Sequence, residues 1–408
     1  MQKLLPSLLV GCKSMSMKPL TCLRTCVLVV SALTGQTVFG QELCNGERSR
    51  ADVRSDQKHI SELIAGRNFD LLETEFSNRQ RLLIAGHYSE EDLYFAFENF
   101  DNGDIGLDPI VTEWQQRFPK SVAALTARGI VEWSLGRRTR GQEFRKDTSE
   151  TQMEGMRRWM TKARKHLEQA RALDNRWLPP YAYGIRVEMF IGNRAGVDAL
   201  YRQGLVVAPG SVYLRKAYML AIDRRWGGSN SDVTDYLLAV QDGDLPQKTK
   251  QAVQYEGLRQ LAATAETYDE SELATRLLRK AAPLCRRSDT WADLAERYNK
   301  SKQWTDELDV LDRYLGYEPN SPWALRRKAY AFRKLGNWDQ AIPLFRKSAE
   351  AGDAYAQNAY GFYLLDGAHL PQDLKESIVW LERAAAQGNK NALANLRRAH
   401  EMLNQKAP

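Results

Sequence analysis

Cysteine and histidine are scarce, with five of each in 408 residues. None of them sits at metal-ligand spacing, and no H-E-x-x-H occurs. Cys12, Cys22 and Cys26 crowd the extreme N-terminus, so only Cys44 and Cys285 remain further along. Two cysteines are compatible with one disulfide in an oxidising compartment and equally with two unpaired thiols. The chain also lacks a G-x-S-x-G elbow, a phosphate loop and a G-x-G-x-x-G turn. No run of alternating β-branched residues marks a strand. The most apolar run, residues 27–33, falls far short of the ~20 residues that span a bilayer. These absences argue against an enzyme, a cofactor or metal site, a β fold and a polytopic membrane protein.

Charge is nearly balanced once its distribution is considered. The net charge is +7, but Lys3, Lys13, Lys18 and Arg24 stand in the first 40 residues, where there is no acid, leaving +3 for the rest. That is too little to suggest a nucleic-acid partner. The same N-terminal stretch has the layout of a secretory signal. Basic residues precede the run Val27-Leu-Val-Val-Ser-Ala-Leu33, Thr34-Gly35 breaks it, and Val38-Phe39-Gly40 suits cleavage before Gln41. Residues 1–40 are therefore expected to be a signal peptide. The mature protein is expected in the periplasm, with no transmembrane segment after cleavage.

What the sequence does contain is helical periodicity and internal repetition from about residue 55 onward. Trp291, Ala295, Tyr298, Trp304, Leu308 and Leu311 recur 34 residues later as Leu325, Ala329, Phe332, Trp338, Ile342 and Phe345. A small residue between large ones at this period is what a helix–turn–helix repeat needs: the alanine admits a close helix neighbour and the large residues fill the space around it. The period then lengthens to 36, aligning residues 341–352 with 377–388 and placing Gly352 and Gly388 where a helix must stop. Trp304 and Trp338 are expected to be buried anchors between helices. The fold class is all-α, a helical-repeat α-solenoid with an N-terminal helical domain.

The 34-residue unit resembles a tetratricopeptide repeat. The 36-residue unit, with Ala354-Tyr-Ala-Gln-Asn-Ala-Tyr-Gly361, Leu365-Asp-Gly367, Gln372 to Trp380 and Arg383-Ala-Ala-Ala-Gln-Gly388, resembles the Sel-one-like subclass of that family; together they cover roughly residues 288–400. Upstream, Arg128-Gly129, Asp174-Asn-Arg-Trp177 and Arg224-Arg-Trp-Gly-Gly-Ser229 are similar to a bacterial helical domain of unknown function. Asp242-Gly-Asp-Leu-Pro246 is a strong breaker, so the expected division is 1–40 signal peptide, 41–246 helical domain and 247–408 repeat solenoid. The resemblance implies a protein-binding scaffold. Exported Sel-one-like proteins include immunity proteins that neutralise toxic effectors, phospholipases of the type VI secretion system among them. An envelope adaptor or regulatory scaffold is the sibling reading, and an enzyme in the middle domain a remote one.

Individual candidates carry little chemistry of their own. Asp101-Asn-Gly-Asp-Ile-Gly-Leu-Asp108 echoes a calcium loop, but Gly103, Ile105 and Thr112 occupy ligand positions, so an ordinary acidic loop is expected. The basic stretch Arg137-Arg-Thr-Arg140, Arg145-Lys146 and Arg157-Arg158 is interleaved with Glu143, Asp147, Glu150 and Glu154, as on a solvated, ion-paired helix face. His369 lies in a loop expected to be solvated. In the frame fixed by Ala295 and Ala329, the free face of the first helix of each repeat carries Glu296, Asn299, Trp323, Arg326, Tyr330 and Arg333, then Tyr355 and Asn358. Trp323, Arg326, Tyr330, Arg333, Tyr355 and Asn358 are the expected partner-binding residues, because aromatics and arginine dominate interface hot spots. The expected partner is another protein, such as a toxic effector enzyme.

Overall fold

The computed structural model describes residues 50–285 and 287–405. The expected leader and Cys44 lie outside the described residues. Nineteen α-helices and no strand occur among the described residues. Four come first: α1 (Arg50–Ala65), α2 (Phe69–Ile84), α3 (Glu90–Glu98) and α4 (Leu107–Arg117). Seven pairs follow, each an A helix and a B helix. They are α5 (Val122–Arg140) with α6 (Glu150–Leu173), α7 (Pro179–Ile191) with α8 (Arg194–Val207), and α9 (Val212–Ala221) with α10 (Asn230–Asp242). Next come α11 (Gln247–Thr267) with α12 (Ser271–Ala281), α13 (Ser288–Lys300) with α14 (Trp304–Tyr317), α15 (Pro322–Lys334) with α16 (Trp338–Glu350), and α17 (Ala354–Asp366) with α18 (Leu374–Ala386). Helix α19 (Lys390–Gln405) packs on α18 and closes the series. Each pair packs on its sequence neighbours, which is the one-dimensional stacking of a solenoid.

The repeat arithmetic accounts for the C-terminal pairs. Helices α13 and α15 start 34 residues apart, as do α14 and α16, while α16 and α18, and α17 and α19, start 36 apart. Ala295 and Ala329 are fully buried, and Leu311 and Phe345 fill the space beside them. Gly352 has φ +95°, and the Asp353 N–H reaches back to the Ser348 carbonyl at 3.1 Å, an α-helical stop that a Cβ would strain. Ser211, Ser321, Asp353 and Asp373 cap the helices that follow them through their side chains. Trp304 and Trp338 are only half-buried, against expectation. Each is the first residue of its B helix, where no preceding turn of that helix covers the ring. Trp338 is covered on one side by the otherwise exposed His369 ring, stacked at 3.5 Å.

Packing runs straight through the breaker at residues 242–246. Helix α11 contacts both α9 and α10, and its Ala252, Val253 and Leu261 belong to the same apolar core as Ile60, Phe76 and Trp114. The segment Arg224-Arg-Trp-Gly-Gly-Ser229 supplies the local reason. A Cβ on Gly228 would lie 1.9 Å from the Ile222 carbonyl oxygen, so only glycine permits this turn. The turn buries Asp223, whose carboxylate accepts hydrogen bonds from Gln260 (2.9 Å) and Thr264 on α11. Trp226 packs on Phe190 at 4.5 Å.

Candidate protein-binding face

Successive A helices present an aromatic ring with a base one turn later. Trp133 lies under Arg137 on α5 (4.9 Å from ring centre to guanidinium), Tyr183 under Arg186 on α7 (4.6 Å), Tyr213 under Lys216 on α9 (5.5 Å) and Tyr255 under Arg259 on α11 (5.6 Å). Tyr330 under Arg333 on α15 repeats the arrangement at 4.7 Å. Spacings of three or four residues put both side chains on one helix face, so the pairing follows from the sequence.

The N-terminal helices cover the first part of this series. Glu91, Tyr94, Glu98 and Asp101 recur at intervals of three, four and three residues, and form one stripe on α3 and the turn after it. Asp101 pairs with Arg137 (3.0 Å) and Arg186 (3.6 Å) and accepts from the Tyr183 hydroxyl (3.3 Å). Tyr94 stacks on Tyr213 at 4.2 Å, and Glu91 pairs with Arg287 at 3.0 Å. Burial pushes the Glu91, Glu98 and Asp101 carboxyls up; Arg287 on the first, Arg186 and Lys216 on the second, and Arg186 and Arg137 on the third oppose it. Glu256 on α11 shows the opposite balance. Burial raises it, yet Lys216 at 3.0 Å with Arg287 and Arg259 draws it below the usual carboxylate range. Asp101 thus faces inward to two arginines instead of gathering with Asp104 and Asp108. Of the basic stretch, Arg137 pairs with Asp101 and Arg157 with Glu150, as on an ion-paired face. The middle helices also hold a buried Glu132 against His166 Nδ1 (2.6 Å), with Arg128 at 3.4 Å; this cluster ties α5 to α6.

The sequence-expected partner residues fall on α15 and α17. Tyr355 is 62% exposed, with the Arg326 guanidinium 5.2 Å from its ring centre. Arg326 Nε also bonds Asp353 at 3.0 Å, so it braces the cap of α17 as well as facing outward. Tyr330 is half-buried and meets Phe345 edge-on at 5.0 Å. Trp323 meets Tyr314 edge-on at 5.3 Å and packs against the apolar core of the preceding pair. Asn358 accepts from Asn395 Nδ2 at 2.9 Å, linking α17 to α19. Glu296 is exposed, whereas Asn299 turns toward the B helix and donates to Glu307 at 3.3 Å. Glu307 is fully buried and pairs with Arg327 at 2.7 Å. The filled half of the face was missed in the sequence reading. Its signal was present as Tyr183-Gly-Ile-Arg186, Tyr213-Leu-Arg-Lys216 and Tyr330-Ala-Phe-Arg333, one pattern on three A helices.

A second concavity lies at the α12–α13 junction. It is an open groove of about 830 Å³ lined by residues of both signs, and it is bridged by Arg279–Asp306 (3.4 Å) and Arg297–Glu266.

No family model matches the chain, and no curated protein matches it. Among solved structures it is similar to a chain of the APC/C hetero-tetramer Cut9–Hcn1, at 14% identity over 83% of this chain with a TM-score of 0.33. It spans only 58% of that chain's length. It is similar to c5321, a protective antigen of uropathogenic Escherichia coli displaying an SLR fold, at 15% identity over 82% of this chain and 81% of that one, TM-score 0.30. It is likewise similar to a Sel1 repeat protein from Oxalobacter formigenes, at 16% identity over 71% and 92% of the two chains, TM-score 0.31. The all-α repeat architecture rests on the helix pairing described above.

Proposed function

We propose that this chain is an exported, non-enzymatic periplasmic scaffold that holds another protein against the A-helix face of α15 and α17. Its most specific form is an immunity protein that neutralises a toxic effector, such as a phospholipase of the type VI secretion system. The observation that carries the binding role is the strip formed by Trp323, Arg326, Tyr330, Arg333 and Tyr355. Aromatics and arginines stand there on adjacent helices at half-buried or exposed positions. Such side chains are typical interface anchors, and a rigid repeat face presents them with little ordering entropy to lose on binding. Occluding an effector's active site requires only such a surface. Export is supported by the leader pattern and by the disulfide at Cys285, since disulfides persist in oxidising compartments.

Affinity capture from a periplasmic fraction tests this. The native chain is expected to retain one protein, and a Tyr330→Ala, Tyr355→Ala double variant to bind it about tenfold or more weakly while staying folded. Unchanged affinity for the captured protein would move the binding face elsewhere. Deletion of the gene is expected to sensitise the cell to effector-delivering rivals. An insensitive deletion strain would replace the immunity role with that of an envelope adaptor.

A further inference from the structure

Helix α3 lies on the A-helix face as a bound segment would. It reaches that face from far away in sequence, touching α7, α9 and the start of α13 through Asp101, Tyr94 and Glu91. Its chemistry is simple: carboxylates flank an aromatic, Glu91 meets Arg287, Glu98 lies in the field of Arg186 and Lys216, Asp101 in the turn after it meets Arg137 and Arg186, and Tyr94 stacks on Tyr213. On α7 and α9 the receiving half is a tyrosine with a base three residues later. Tyr330 and Arg333 form the same receiving unit on α15, and no helix among the described residues crosses it as α3 crosses the earlier ones.

Two further observations point to an acid as the missing piece. Arg326 is held by Asp353 and Arg327 by Glu307, but Arg333 has no carboxylate partner among the described residues. Its Nε is buried without a hydrogen-bond acceptor, and the guanidinium's hydrogen-bond partner is the neutral Tyr363 hydroxyl. Helix α15 itself carries Arg326, Arg327, Lys328, Arg333 and Lys334 and no acid. We infer that α15 and α17 receive an acidic helix of the partner protein built as α3 is built, with carboxylates seven residues apart flanking an aromatic. One carboxylate accepts from the Arg333 guanidinium. The aromatic lies against Tyr330 and the exposed Tyr355, as Tyr94 lies against Tyr213. This rests on the scaffold reading above and adds the chemistry of the occupant.

The probe is a fluorescein-labelled peptide of residues 88–101, titrated with the full chain and followed by anisotropy. Saturable binding is expected, weakened about tenfold or more by Arg333→Ala and comparably by Glu91→Gln with Glu98→Gln in the peptide. Arg333→Lys keeps the charge but loses the planar fork, so it should bind at an intermediate level. Tyr355→Ala, at an exposed position, gives a second variant with little risk to folding. Absent binding overturns the inference, as does binding indifferent to Arg333 and Tyr355. Weakening by Lys216→Ala alone overturns it too, because the peptide would then be exchanging with α3 in its own berth. Self-association of the chain, abolished by Arg333→Ala, would give the face to a second copy. If a captured partner needs Tyr330 and Tyr355 while the peptide never binds, the acidic-helix chemistry fails and the scaffold role stands. If the peptide binds as expected and no partner is captured, the reverse holds.

Discussion

At the scale of single residues, the most consequential side chain is Glu90. It is the first residue of α3, yet it caps another helix. Its buried carboxylate accepts from Ser211 Oγ and from the Val212 N–H (3.2 Å) at the N-terminus of α9. Burial pushes its carboxyl up to about 7, against the hydrogen bonds from Ser211, Val212 and Tyr213 and the nearby Arg215 charge, which pull it down. The unfolded chain holds that proton only below about pH 4.3. Between that value and about 7 the folded state binds a proton that the unfolded state has released, so the Glu90 contribution to stability is present at low pH and lost as pH rises through 7. The loss should amount to about 3–4 kcal/mol. Glu90→Gln keeps a neutral group of the same shape. The stability of this variant relative to the native chain should therefore increase from pH 5 to pH 8, read from urea midpoints. Parallel pH curves for the two proteins would mean that Glu90 stays ionised in its buried site.

At the scale of helices and turns, the 34-residue period makes a comparison that neither repeat offers alone. Between α15 and α16 the turn uses Gly336 at φ +80°; between α13 and α14 the equivalent position is Lys302 at φ +59°. The hydrogen bonds match: Gly336 N–H to the Arg333 carbonyl at 3.1 Å, and Lys302 N–H to the Asn299 carbonyl at 3.0 Å. A lysine in the left-handed region carries a steric cost of roughly 1–2 kcal/mol that glycine avoids, partly offset by the greater freedom glycine gives the unfolded chain. Lys302→Gly should thus stabilise by about 0.5–1 kcal/mol, measured by denaturant unfolding, and a destabilised variant would show that the lysine stem contributes packing there. The same comparison explains what was legible in the sequence. Ala295 and Ala329 mark close approaches, and Gly352 and Gly388 mark stops, because those positions tolerate few substitutes. The earlier pairs follow no fixed small–large spacing. Helix α6 runs for 24 residues where α12 has 11, so the stack upstream of residue 246 could not be read from periodicity. Trp304 and Trp338 misled because their spacing reports register, and register does not say how much of a ring at a helix start is covered.

At the scale of the whole molecule, long-range contacts decide what the sequence could not. The helix positions of Trp323, Arg326, Tyr330, Arg333 and Tyr355 could be read from sequence because the first four sit at helical spacing on one helix and the fifth follows in the next repeat. The filled part could not, because Glu90 meets Ser211 and Glu91 meets Arg287 across more than a hundred residues. The apolar packing, by contrast, is divided along the stack. One continuous core runs from Ile60 to Leu261, whereas a second, smaller cluster spans the end of α11 to α15 and further small clusters hold the later pairs. The groove at α12–α13 opens over the second cluster, and its bridges are partly exposed ion pairs, each of which contributes about 0–1 kcal/mol. A linear stack with a weak interface need not unfold in one step. In a urea series followed by hydrogen exchange, α13–α19 should lose protection before α1–α11. Arg287 opposes that separation. It stands at the start of α13, pairs with Glu91 on α3, and lies 3.5 Å from Asp289, which Arg259 of α11 also holds at 3.0 Å. Its guanidinium is the clasp between the covered half of the face and the open half. Arg287→Ala should therefore lower the urea midpoint of the α13–α19 block while leaving that of α5–α8 unchanged. Equal loss of protection in both blocks would mean that the chain unfolds as a single cooperative unit and that the groove is no seam.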